Sequence, residues 1–359
     1  MSASTLFTPI QVGRYELANR IVMSPLTRCR CTPDTHTPTP MMKEYYAQRA
    51  SAGLIIAEGT MIAPDTCTFY AQPGVYTNEQ LVAWKEITDA VHAKGGKIFV
   101  QLHHPGRATH PVMNNGATPR APSAISIDGE IHTHEGKLPY PTPKELTQNE
   151  IADIVQQYAT AAFNSVEKAG FDGVEIHSGN GFLIDQFLRD GANKRTDAYG
   201  GSFENRSRFL REVVAAVSDA IGSDRIGLHI SPLSTYNNIS DSDNAGLLKY
   251  LATLLNDFNV AFVLLLRRDL AGNVEGDCAA EFRKLYHGTI IGNIGFTKTE
   301  ATEAIGQKQF DAVAFGLPFV ANPDLVARFE KDASLNAPDP STLYTQDTKG
   351  YTDYPTLSD

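Results

Sequence analysis

The chain has 359 residues, a hydrophobic fraction of 42% and a net charge of −10. Those values suit a globular protein with a large apolar core, and the negative balance disfavours nucleic acid or an anionic membrane as a partner. No apolar run reaches membrane-spanning length, and Met1-Ser-Ala-Ser-Thr-Leu-Phe-Thr-Pro9 lacks the charged and apolar regions of a secretory leader. Cys29, Cys31, Cys67 and Cys278 are too few for a disulfide framework. One residue between Cys29 and Cys31, with no second pair following, makes a poor metal site, so no metal is expected. Reduced thiols place the protein in the cytoplasm.

Short apolar runs alternate with helical patterns along the whole chain. Arg20-Ile-Val-Met-Ser24 reads as a strand, followed by a polar loop and a helix near 40–52. Gly53-Leu-Ile-Ile-Ala57 is the second strand, a helix covers 78–94, and Lys97-Ile-Phe-Val-Gln-Leu102 is the third strand. Residues 103–146 are rich in Pro, Gly, His and Thr, without a regular period. So long an excursion is expected to fold as a lid over a site. Thr147 and Glu150 form a capping box for a helix running to about Ala169.

Gly173-Val-Glu-Ile176 reads as a buried parallel strand that breaks at His177-Ser-Gly-Asn-Gly181 before a helix from Leu183. A His and an Asn three residues apart on such a turn can aim two donors at one acceptor oxygen, which would polarise a carbonyl or phenolate. A helix-capping Asn beside a solvated His explains the same residues without chemistry.

Helices near 205–221, 244–258, 282–287 and 299–307 then alternate with strands at 225–230, 260–266, 289–292 and 311–315. A closing helix starts at Pro323, and a tail rich in Pro, Thr and Tyr is expected on the surface. Eight such units predict one α/β domain over 1–359, a (β/α)8 TIM barrel with its excursion at 103–146 over the C-terminal face.

In such a barrel the chemistry sits where strands end. The exits carry Pro25-Leu26-Thr27, Ala57-Glu58-Gly59, Gln101-Leu102-His103-His104, His177-Ser178-Gly179-Asn180, His229, Arg267-Arg268, Asn293-Ile294-Gly295 and Gly316. Glycines after strands seven and eight suit a phosphate site, and spread donors suit a flat heteroaromatic ring. Flavin mononucleotide (FMN) meets both demands, and a phosphorylated substrate is not distinguished from it.

Taken together, Asn19-Arg-Ile-Val-Met-Ser-Pro-Leu-Thr-Arg28, Gly53-Leu-Ile-Ile-Ala-Glu-Gly59, Phe99-Val-Gln-Leu102, the 177–180 loop and Ala314-Phe-Gly316 resemble the Old Yellow Enzyme family of flavin-dependent ene reductases. The likeness spans essentially the whole chain. Its loops and tail are similar to kinetoplastid members, some described as prostaglandin F2α synthases. The resemblance implies bound FMN, reduction by NADPH or NADH, and hydride delivery to an enone or quinone. By it, Thr27 would tune the flavin edge, and Pro25, Leu26 and the Ala57 amide would line the ring. Gln101 would hold the pyrimidine edge, and His177 and Asn180 would grip the substrate oxygen. Tyr351 would wall the substrate pocket.

Four positions depart from the family pattern. Phe182 stands where a tyrosine usually donates the completing proton, which a phenyl ring cannot do. His229 replaces an arginine beside the flavin, Leu317 replaces a phosphate-binding arginine, and Ile294 replaces a glycine. Arg267 or Arg268 could reach the phosphate instead. These losses motivate a second reading, a catalytically weakened barrel that binds flavin or ligand. The sequence leaves the assembly state open.

Overall fold

The computed structural model describes residues 5–357. Its centre is a closed, all-parallel barrel of β1 (Ile21–Met23), β2 (Leu54–Met61), β3 (Ile98–His103), β4 (Gly173–His177), β5 (Ile226–Ile230), β6 (Phe262–Leu266), β7 (Ile290–Asn293) and β8 (Ala312–Phe315), which pairs back onto β1. Every residue of these strands is buried, as a sheet covered on both faces requires. Side chains of β1, β2, β3, β6, β7 and β8 feed an inner cluster containing Val22, Leu54, Ile56, Phe99, Phe262 and Leu264. The outward side chains of the barrel meet the surrounding helices in a larger outer cluster.

The α-helices of five or more residues are α1 (Pro40–Gln48), α2 (Asn78–His92), α3 (Gln148–Phe163), α4 (Leu183–Leu188), α5 (Arg208–Ile221), α6 (Asn244–Leu254), α7 (Ala279–Leu285), α8 (Lys298–Gly306), α9 (Leu317–Ala321) and α10 (Leu325–Glu330), with a single turn at Phe203–Arg206 before α5. Thr147 accepts from the Glu150 amide and the Glu150 side chain answers on the Thr147 amide, so α3 starts at its capping box.

Three features differ from the sequence reading. A hairpin of Ile10–Val12 with Tyr15–Leu17 precedes the barrel and sends Val12 and Leu17 into the inner cluster, extending it with two apolar side chains. The 103–146 excursion is partly regular: Glu130–Thr133 pairs with Gly136–Pro139, and Arg120–Ala121 pairs with Lys144–Glu145. The tail does not simply lie on the surface. The Arg28 guanidinium donates to the carbonyls of Leu343 and Gly350. That of Arg30 donates to Thr342 and Leu343, and that of Arg49 to Phe319 and Val320. These three arginines are almost wholly buried, and neutral carbonyls partner them through charge-assisted bonds.

A β-bulge shapes β2. Ala57 pairs with Val100 and Gly59 with Gln101, so Glu58 is the extra residue. Glu58 accepts from the Tyr46 hydroxyl at 3.1 Å and the Arg28 amide at 3.2 Å. Burial raises its carboxyl to about 7, against the lowering effect of those two hydrogen bonds.

Candidate active site at the C-terminal mouth of the barrel

The turn leaving β4 is built so that only certain residues fit. A Cβ on Gly179 would sit 2.6 Å from the Ser231 hydroxyl oxygen. Asn180 has φ +56°, a left-handed conformation that Asn tolerates better than other side chains. Its amide donates to Ser231 Oγ at 2.6 Å, and Asn237 donates to its carbonyl at 2.9 Å. The turn is thus fastened to the segment leaving β5.

His177 is buried, and burial, then His229 and His103, hold its imidazole well below the ordinary histidine range. It is neutral at physiological pH. The Gly179 amide approaches Nδ1 at 3.4 Å, which makes Nδ1 the acceptor and Nε2 the donor. The His177 ring lies 4.5 Å from His229 and 4.9 Å from Phe182, centroid to centroid.

Beneath this pair, three inward positions on neighbouring strands meet. Gln101 Nε2 donates to Glu175 Oε1 at 2.7 Å. His229 Nδ1 lies 3.3 Å from the same oxygen and 3.4 Å from Gln101 Nε2. His229 Nε2 lies 3.5 Å from Asn180 Nδ2. Glu175 Oε2 and Asn180 Oδ1 are buried and have no hydrogen-bond partner among the described residues. In the sequence Glu175 stands inside an apolar strand, Gly173-Val-Glu-Ile176, and carries no expected role. The available signal was a carboxylate at an inward position level with Gln101 on β3.

Phe182 fits edge-on against His103 at 4.4 Å and packs with Ala108 and Ile127 from the excursion. His103 Nε2 is buried without a hydrogen-bond partner among the described residues, and burial lowers its imidazole to about 3.

Pro25, Leu26 and Thr27 are half-buried where β1 ends, and Ala57 turns its methyl into the outer cluster. At the ends of β7 and β8 a cleft of about 440 Å³ is lined by Ser24, Leu26, Asn293, Gly295, Gly316 and Leu317, among others. Asn293 Nδ2 donates to Ser24 Oγ at 2.8 Å and so bridges the exits of β7 and β1. A Cβ on Gly316 would stand 3.3 Å from Leu26 Cδ1, so its absence keeps the cleft open. Ile294 has φ +76°, a strained conformation for a β-branched residue.

Arg267 is 7% exposed. It stacks 3.8 Å above the Phe296 ring and donates to the carbonyls of Ile294 and Gly295. It braces the loop at this cleft. Arg268 is half-exposed near Asp277.

Tyr351 does not wall the mouth. It is fully buried, stacked 4.0 Å from Tyr45 and covered by Arg28 and Arg30. Aromatic stacking and two cations hold it as an anchor of the tail. The exposed tyrosine of that tail is Tyr344, at 64%. The Tyr236 phenol, in the segment after β5, is raised by burial and then by Tyr344.

The family model for the NADH:flavin oxidoreductase / NADH oxidase family matches residues 5–336. A probable flavin mononucleotide-dependent alkene reductase of Leishmania infantum is 46% identical over 360 residues, covering 99% of this chain and 98% of the relative. The solved old yellow enzyme from Trypanosoma cruzi superposes with a TM-score of 0.95 at 42% identity, over 99% of both chains. Morphinone reductase in complex with tetrahydroNAD gives 0.93 at 41% identity, again over 99% of both. Among the described residues, no helix is long and apolar enough to cross a membrane.

Proposed function

The chain belongs to the NADH:flavin oxidoreductase / NADH oxidase family, in its Old Yellow Enzyme branch, and from that premise we propose its reaction. It is an FMN-dependent oxidoreductase that takes a hydride from NADPH or NADH and delivers it to an α,β-unsaturated carbonyl or a quinone. The observation that carries this reading is that the neutral His177 ring and the Asn180 carboxamide both meet His229 at one mouth, at 4.5 Å between ring centroids and 3.5 Å from Nδ2 to Nε2.

The residues present fit FMN. Polar atoms of Asn180, Glu175 and His103 that have no partner among the described residues, and the cleft that Gly316 keeps open, support that fit. When bound, FMN supplies the hydride. Pro25, Leu26, Thr27 and the Ala57 main chain would line its ring, with Gln101 and His229 at the pyrimidine edge. Asn293, Gly295, Gly316 and Leu317 would enclose its phosphate end, with Arg267 bracing that loop.

His177 Nε2 donates to the substrate oxygen, and the Asn180 carboxamide supplies the second donor. Two such bonds draw electron density from the alkene and leave its β-carbon electrophilic. Phe182 and Tyr344 wall the substrate, and Phe182 offers no proton, so solvent completes alkene reduction. Quinone oxygens take protons from water directly. We place the whole of 1–359 in one domain, with the 103–146 excursion shielding the mouth. Buried thiols at Cys29, Cys31, Cys67 and Cys278 fit a cytoplasmic protein.

Leu317 and the strained Ile294 favour the second reading, a flavin-binding barrel with weak turnover. Anaerobic stopped-flow mixing with NADPH separates the two. Rapid bleaching of the flavin, followed by faster reoxidation with menadione than with cyclohexenone, supports the enzyme. Flavin that stays oxidised through many equivalents of NADPH and NADH supports the binding protein.

A further inference from the structure

The cleft at the ends of β7 and β8 stands where a barrel of this kind receives a phosphate. A phosphate monoester carries about −2 at neutral pH, and guanidinium or ammonium groups ordinarily meet that charge. Among the described residues that line this cleft, none is ionisable. Leu26, Ile294 and Leu317 present aliphatic side chains to it, and Ser24 and Asn293 supply neutral polar ones. The Asn293 carboxamide donates to Ser24 Oγ at 2.8 Å, which leaves its own oxygen and the serine proton for hydroxyl groups.

The two arginines at the end of β6 are committed elsewhere. Arg267 donates from Nε to the Ile294 carbonyl at 3.1 Å and from Nη2 to that of Gly295 at 3.3 Å. Its Nη1 lies 3.4 Å from Asp277 Oδ2 and its Nη2 3.6 Å from Glu300 Oε1. Phe296 covers the guanidinium at 3.8 Å. Arg268 Nε lies 3.9 Å from Asp277. Two guanidiniums thus meet two carboxylates, and no net positive charge remains among these four groups. Turning Arg267 toward a phosphate would strip two carbonyls of their donor and forfeit the aromatic contact.

We infer that the cleft holds the ribityl end of a flavin by neutral contacts, so that riboflavin is bound nearly as tightly as FMN. This rests on the FMN reading above, and it makes the ring rather than the phosphate the source of affinity. Each main-chain amide that meets a phosphate oxygen replaces a bond to water, and the dianion loses hydration on entry with no counter-charge to offset it. The phosphate therefore adds less than about tenfold.

The test is fluorescence titration of the full-length apoprotein with FMN and with riboflavin in parallel. Dissociation constants within about tenfold of each other are expected. A larger preference for FMN overturns the inference while leaving the FMN reading intact. Raising salt from about 50 mM to about 500 mM is expected to change FMN affinity less than about twofold, since no ion pair to the phosphate is there to be screened. A larger fall overturns the inference. Leu317→Arg places a cation at the cleft and is expected to tighten FMN about tenfold or more while leaving riboflavin unchanged. Equal effects on the two flavins put the phosphate elsewhere and overturn it. Arg267→Ala is expected to weaken both flavins alike, through the loop it braces, and Arg268→Ala to weaken neither. A loss confined to FMN in either variant overturns the inference. A chain that takes up neither flavin overturns the FMN reading and this inference with it.

Discussion

Phe182 touches both His103 and His177 edge-on, at 4.4 and 4.9 Å, so a hydroxyl added to its ring would enter the same mouth. Proton transfer by a placed side chain typically contributes about 10²–10⁴-fold. Phe182→Tyr is accordingly expected to raise cyclohexenone turnover by at least about tenfold and to leave menadione turnover nearly unchanged. Steady-state rates with both substrates check this, and equal gains would contradict the proton-donor argument. Ile294 carries another departure. Its left-handed φ costs about 1–2 kcal/mol, which removal of the half-buried side chain offsets in part. Ile294→Gly is expected to shift the melting temperature by no more than about 2 °C and to tighten FMN binding, because the branched side chain leaves the cleft. Flavin fluorescence titration of the apoprotein checks it, and weaker binding by the variant would sink the idea. At this scale the sequence exposed the 177–180 turn because its Gly and Asn spacing is local. It misled at Tyr351, because nothing near that residue announces Tyr45 or Arg30 as its partners.

The first loop and the tail behave as one element, since Arg28 and Arg30 satisfy tail carbonyls hundreds of residues away. Arg30→Ala leaves several of those carbonyls without their donor and is expected to cost about 3 kcal/mol of stability. It should also raise the KM for enones by loosening the segment that carries Tyr344. Urea unfolding with steady-state kinetics tests both, and a stability loss below about 0.5 kcal/mol would contradict the tail's anchoring. The bulge in β2 sets a pH dependence. Folding raises the Glu58 carboxyl from 4.5 to about 7, so the native state binds the proton more tightly between those values. Stability from this group is therefore fully present below pH 4.5 and declines as pH rises, by about 3 kcal/mol in all. Glu58→Gln is expected to flatten that slope in unfolding measured across the range, and an unchanged slope would assign it elsewhere. The strands were legible because each is a nearly continuous apolar run. The 10–17 hairpin was not, since three-residue strands carry too little periodicity to register. The excursion's ladder was hidden by flanking Pro and Gly.

For the molecule as a whole, eight parallel strands buried on both faces dictate a barrel, and a barrel gathers eight strand exits at one mouth. That geometry explains why residues as distant as Thr27, Gln101, His177 and Asn293 were readable as one candidate site from order alone. Glu175 went unread because its meaning depends on neighbours from β3 and β5, a relation that exists only once the sheet closes. The account stands on FMN lying across that mouth. The most direct measurement is the visible absorption spectrum of the purified protein, with the released flavin quantified after denaturation. One FMN per chain with bound-flavin bands is expected, whereas a colourless protein that takes up no added FMN would contradict the account.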